Sequence, residues 1–268
     1  MTVASLVLSA SAALGAAPKH GYAPVNGLRM YYEIHGKGRP LVLLHGGGST
    51  IQTSFARLLP PLARTRQVIA FEQQGHGRTA DVEDRPFSFE QSADDAAALL
   101  RHLRIEQADF LGFSNGGSIA LQIAVRHPGL VRRLVVISAI FDRSGMTPEF
   151  WQSMEHASLD SMPAELKQAY LAAAPHPEQL QTFHDKSVKR MVEFKGWPKE
   201  SIRGIGAPTM VIVGDGDVVR PEHAVEMFRL LPHGELAILP GATHGLIVEK
   251  ADLLAAMVLP FLDAESPP

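Results

Sequence analysis

The chain has 268 residues, 46% of them hydrophobic and 20% charged, a balance that excludes a disordered chain. Twenty-five basic and 28 acidic residues leave a net charge of −3 with no long run of either sign, which gives no support for a nucleic-acid partner. There is no cysteine, so disulfide scaffolds, cysteine nucleophiles, thiolate-zinc sites and iron–sulfur clusters are all excluded.

Residues 1–18 carry no charge and are rich in Ala, Ser and Leu, with Ala10-Ser11-Ala12 and Gly15-Ala16-Ala17 as small-residue cleavage candidates. This reads as a signal-like leader without a basic start. Export to the periplasm or outside follows if residues 1–17 act as a signal peptide, and a cytoplasmic location follows otherwise. No stretch is both long and apolar enough to span a bilayer. The leader is expected to be dispensable for stability and turnover.

From there strands and helices alternate. Strands are predicted at Gly27 to His35, Leu41 to Leu44, Gln67 to Phe71, Ala108 to Phe113, Leu134 to Ala139, Met210 to Val213 and Leu236 to Leu239. Continuous apolar runs such as Leu-Val-Leu-Leu fit strands covered on both faces. Helices are predicted at Phe89 to Leu103, Gly117 to Arg126, Glu222 to Leu230 and Lys250 to Leu262. The alternation implies an α/β fold, a mainly parallel, doubly wound sheet with helices on both faces. Phe141 to Arg203 breaks the rhythm with amphipathic helical pieces separated by prolines, and is read as a small helical cap. The expected division is a leader (1–21), a core (22–140 and 204–265) and a cap or lid (141–203).

Gly112-Phe113-Ser114-Asn115-Gly116 lies between a β run and a helical run, which puts Ser114 on a sharp strand-to-helix turn and the Asn115 amide at a helix N-terminus. A serine hydroxyl needs a base to become a nucleophile. Of twelve histidines, His244 follows the last β run, in Gly241-Ala242-Thr243-His244-Gly245. An acid must hold that imidazole in its tautomer, and Asp215 or Asp217 stands at the end of the preceding β run. Leu44-His45-Gly46-Gly47-Gly48 follows a buried strand and offers amides, unobstructed by side chains, to a developing oxyanion. No metal-ligand spacing occurs, and no metal or cofactor is expected.

These segments resemble those of the α/β-hydrolase superfamily over roughly Pro24 to Asp263, and within it the small bacterial carboxylesterase or enol-lactonase-like serine hydrolases. The resemblance implies Ser114 as nucleophile, His244 as base and Asp217, rather than Asp215, as acid. It implies the Gly47 and Asn115 amides as oxyanion hole, with Gly46 left as an alternative to Gly47. Glu72 and Gln74 depart from the family's usual Asp and Arg, a change read as structural. The implied activity is hydrolysis of esters or lactones with small to medium apolar acyl groups, the partner being that small-molecule substrate, with no nucleic acid and no membrane span expected and the oligomeric state left open. Alternatives are carbon–carbon bond hydrolysis or perhydrolysis by the same residues, or a slow-turnover, hydrolase-like receptor. Aromatic and methionine residues of the cap are expected to wall the pocket, with Trp151 and Phe194 as the expected substrate contacts.

Overall fold

A computed structural model of the chain describes residues 18–265. Residues 1–17, which hold the expected leader, lie outside the described residues. Eight strands form one sheet: β1 (Lys19–Val25), β2 (Leu28–His35), β3 (Arg39–Leu44), β4 (Arg66–Phe71), β5 (Ala108–Phe113), β6 (Val131–Ile137), β7 (Thr209–Gly214) and β8 (Gly234–Leu239). Their spatial order is β1-β2-β4-β3-β5-β6-β7-β8. β2 is antiparallel to both its neighbours, and the pairings from β4–β3 to β7–β8 are all parallel.

The apolar runs are explained by two cores, one on each face of the sheet. Val42, Leu44, Ile69, Phe71, Val136 and Val211 point to the first, where helices Phe89–His102, Asn115–Arg126 and Pro221–Leu230 pack. Leu41, Leu43, Val68, Ala70, Val135 and Ile212 point to the second, against Ile51–Phe55 and Ala251–Asp263. With side chains alternating across a strand, both sets must be apolar, and a period-2 pattern disappears. Among the described residues no helix is long and apolar enough to cross a membrane.

Two features depart from expectation. β1 was not predicted, and it takes in residues 19–21, which the expected leader (1–21) included. β1 is an edge strand: Lys19 and His20 are exposed and only Ala23 and Val25 are buried, too weak a pattern to read without its partner β2. Two short helices, Ile51–Phe55 and Leu59–Leu62, were also missed, each being too brief for a helical period to show.

Between β6 and β7 the chain forms helices Pro148–Glu155, Ala164–Ala173, Leu180–Glu193 and Lys199–Arg203. Isolated bridges, Asp142 to Gly196 and Met146 to Val219, close the base of this segment. Tyr170, Leu180 and Phe183 cluster with Phe87 of the body. Lys186 adds an ion pair to Asp81 at 2.6 Å and donates to the Val82 and Glu83 carbonyls.

Candidate active site

Ser114 follows β5 and caps helix Asn115–Arg126 with φ +54° and ψ −124°, a conformation that non-glycine residues rarely adopt. The turn is tight on both sides. A Cβ on Gly112 would stand 2.2 Å from the Gly116 carbonyl oxygen, and one on Gly116 would stand 2.0 Å from that of Leu44. Bonds from the Ser114 amide to the Ile137 carbonyl (2.8 Å) and from the Gly117 amide to the Ser114 carbonyl (2.8 Å) hold it. The strained turn presents the hydroxyl at the carboxyl end of the sheet.

His244 comes from the loop after β8 and Asp217 from the loop after β7. The His244 Nδ1–H donates to Asp217 Oδ1 at 2.7 Å, which leaves Nε2 free to accept from the Ser114 hydroxyl at 3.0 Å. Asp217 also accepts from the Val219 amide at 3.0 Å and, through Oδ2, from the Ser138 hydroxyl. Burial pushes its carboxyl up, but the donors from His244, Ser138 and Val219 outweigh burial and hold it below the ordinary range. Asp215 takes a different part. It accepts from the Ala242 amide at 3.2 Å and so braces the loop that carries His244.

After β3, the Gly46 amide donates to Ser54 Oγ (3.3 Å), the Gly48 amide to His76 Nε2 (3.4 Å) and the Ser49 amide to the Gly46 carbonyl (3.3 Å). Among the described residues the Gly47 amide, alone of the three glycine amides, has no acceptor. Asn115 is the first residue of its helix, where an amide has no intrahelical acceptor. The two residues face each other: a Cβ on Gly47 would lie 2.2 Å from Asn115 Nδ2.

Buried, neutral histidines support this loop. His45 Nδ1 donates to the Gly46 carbonyl (2.8 Å) and its Nε2 accepts from the Gln73 amide (3.1 Å). His76 Nδ1 donates to the Gln74 carbonyl (2.8 Å). Burial is the main force lowering both: His45 goes from 6.5 to about 4, and His76 well below its ordinary value. His223 is likewise lowered by burial from 6.5 to about 4. Below pH 6.5 the unfolded chain therefore takes up protons that these rings refuse, so stability present above that pH is lost as pH falls toward 4. Urea midpoints measured from pH 7 down to pH 4 should decline across that window. A flat series would contradict the burial of these rings.

A cavity of about 320 Å³ opens over Ser114, Asn115, Gly47 and His244, and the helical segment supplies Met146, Phe150, Met154, Met162, Leu166 and Met191 to its walls. A larger depression of about 1150 Å³ lies elsewhere, between Lys19, His35, Phe55 and Arg64, and touches none of Ser114, Asp217 and His244.

Trp151 and Phe194, expected as substrate contacts, do not line the cavity over Ser114. Trp151 is one residue from Phe150 and so about a quarter-turn round the same helix. Its indole N–H donates to the Arg143 carbonyl (2.9 Å), and its ring lies under the Arg143 guanidinium at 3.9 Å, on the outer side. Phe194 is the C-cap of helix Leu180–Glu193 and packs edge-on against Phe89 and Trp197 in the core. Two further residues escaped the sequence reading: Ser138, which holds Asp217, and Arg190, a buried guanidinium beside Gly47. No periodicity or motif marks either.

Comparison with known proteins places this arrangement. The chain is 28% identical over 260 residues to 2-hydroxymuconate semialdehyde hydrolase of Pseudomonas sp. (strain CF600), covering 88% of this chain and 91% of that one. It is 28% identical to serine hydrolase BPHL of Mus musculus, over 94% of this chain and 89% of the relative. The fold is shared with the enol-lactonase of Burkholderia xenovorans LB400, at a TM-score of 0.73 and 23% identity, covering 91% of this chain and all of that one (100%). The sequence model described as the alpha/beta hydrolase family matches residues 41–257, from within β3 into the last helix. With that match spanning most of the sheet and the loops that carry Ser114, Asp217 and His244, the chain belongs to the alpha/beta hydrolase family.

Proposed function

We propose that the chain is a cofactor-free serine hydrolase that cleaves carboxylic esters or lactones of small to medium apolar acyl groups. The observation that carries this reading is the hydrogen-bonded chain Asp217–His244–Ser114 (2.7 and 3.0 Å) at the floor of an apolar cavity. Ser114 Oγ attacks the carbonyl carbon as His244 Nε2 takes its proton, and Asp217 stabilises the imidazolium. The Gly47 and Asn115 amides take up the charge of the tetrahedral oxygen, a contribution worth ~10²–10³ in rate per donor. His244 then protonates the leaving alcohol, leaving the acyl group on Ser114, and a water deprotonated by His244 releases the acid. Metal chelators should leave turnover unchanged.

A second reading, hydrolysis of a carbon–carbon bond beside a carbonyl, draws on the similarity to 2-hydroxymuconate semialdehyde hydrolase and on a structural likeness to a meta-cleavage product hydrolase of Pseudomonas fluorescens IP01. Turnover of an aryl ester series, a lactone series and a ring-cleavage product by the same preparation tests the two. Ester or lactone turnover far above that of the carbon–carbon substrate supports the first reading, and the reverse order overturns it.

The helical segment is read as a lid that sets acyl length. Each buried methylene stabilises binding by ~0.8 kcal/mol, so kcat/KM should rise about fourfold per carbon until the cavity is full. Met154→Ala or Leu166→Ala should move that break toward longer chains. Trp151→Ala, on the outer side, should leave it in place. An acyl-length optimum that no wall substitution shifts would show that the pocket lies elsewhere.

A further inference from the structure

We propose that Arg190 is an electrostatic component of the oxyanion site: a buried cation with no counter-ion among the described residues, held beside Gly47, that stabilises the negative tetrahedral intermediate through that loop. The inference rests on the serine-hydrolase reading above. Arg190 lies in helix Leu180–Glu193, whose neighbouring residues Ser187 and Met191 face the cavity. Its own side chain turns inward and is buried, with Nε and Nη2 lacking any hydrogen-bond partner among the described residues. The other cations of the helix are paired, Lys186 with Asp81 and Lys189 with Glu193. Among the described residues Arg190 has no such carboxylate. Buried polar groups are nearly always satisfied, so this one calls for a physical account.

Two aromatic rings flank the guanidinium. It sits 5.6 Å from the Phe87 ring centroid and 5.2 Å from that of Phe89, so two ring faces stand in for water. Burial draws its pKa from 12.5 down to about 10, which still leaves it charged at neutral pH. Nη2 lies 3.6 Å from the point where a Cβ on Gly47 would stand. The titratable groups beside it, His45 and His76, are held neutral mainly by burial, with the Arg190 charge acting in the same direction. No anion among them cancels the field at the Gly47 amide. Gly47 and Asn115 line the cavity and Arg190 does not, its guanidinium standing beside Gly47, so it acts on the reacting oxygen through the loop rather than by touching substrate.

A buried cation with no partner costs stability, and removing it for an apolar group of similar size is often neutral or stabilising. The same charge favours an oxyanion that appears only in the transition state. At an effective dielectric near 20, a unit charge several ångströms away changes the rate by roughly 10- to 100-fold.

The test compares Arg190→Met and Arg190→Lys with the wild-type full chain. It measures kcat and KM on a neutral aryl ester and on an ester of equal length bearing a carboxylate, inhibition by an arylboronic acid, and melting temperature. The boronic acid becomes an anionic tetrahedral adduct on the serine and reports oxyanion stabilisation directly. Arg190→Met is expected to lower kcat 10- to 100-fold on both esters, to change KM by less than about twofold, and to weaken the boronate by a similar factor. Its melting temperature should not fall, and Arg190→Lys should restore most of kcat. Should the methionine variant fail to fold, Arg190→Gln against Arg190→Lys makes the same comparison.

Wild-type kcat in a folded variant without the charge would overturn the inference. So would a loss confined to KM for the carboxylate ester, which would make Arg190 a substrate-anion contact. A wild type that neither cleaves esters nor binds the boronic acid would overturn the hydrolase reading as well, which separates the two failures.

Discussion

Ser114→Ala is expected to lower ester turnover by roughly 10⁵-fold or more, leaving only what oxyanion stabilisation and binding supply alone. The reason is geometric. The Ser114 hydroxyl meets His244 Nε2 at 3.0 Å, on a turn whose φ of +54° aims it at the cavity. Because nucleophile and base act as a unit, His244→Ala should be nearly as damaging and the double variant little worse. Both variants should stay folded, since neither side chain belongs to the two cores on the faces of the sheet. Circular dichroism and single-turnover kinetics on one aryl ester measure both halves. Near-additive losses in the double variant would mean that the two residues do not share a step.

The second large effect separates the two aspartates. Asp217→Asn should cost about 10³- to 10⁴-fold in kcat, because the amide favours the wrong imidazole tautomer. Asp215→Asn should cost less than about tenfold. Asp215 accepts from backbone amides such as that of Ala242 in the His244 loop, and an Asn side-chain oxygen can still accept them. Asp217 is held below the ordinary carboxylate range, so it stays ionised and keeps its hold on His244 as pH falls toward that range. Equal losses in the two variants would contradict the assignment.

The parallel part of the sheet was legible because its strands are apolar on both faces: Leu41 to Leu44 feeds two different cores and leaves no polar position to interrupt the run. β1 was not, because an edge strand carrying Lys19, His20 and Tyr22 toward solvent is recognisable only by its register with β2. Ser114, Asp217 and His244 were readable from position alone, since each follows a β run that ends at the same edge. Gly46 and Gly47 look alike in sequence and differ only in the structure, where the Gly46 amide donates to Ser54 Oγ.

The pocket was a harder matter. Met146, Phe150, Met154, Trp151 and Phe194 look alike in sequence, and which of them faces a cavity depends on helix rotation and on what packs behind. Trp151 is drawn outward by Arg143, and Phe194 is held in the core by Phe89 and Trp197. Ser138 and Arg190 lie beyond reading of that kind, because each acts across the fold on a loop far away in the chain.

Ser114 is expected to carry the acyl group. Intact-protein mass spectrometry after exposure to a fluorophosphonate, followed by peptide mapping, tests it most directly. A single adduct is predicted on the peptide containing Gly112-Phe113-Ser114-Asn115-Gly116, absent in Ser114→Ala and strongly slowed in His244→Ala. Full ester turnover by a protein that takes no label at Ser114, or equal labelling of Ser114→Ala, would contradict it.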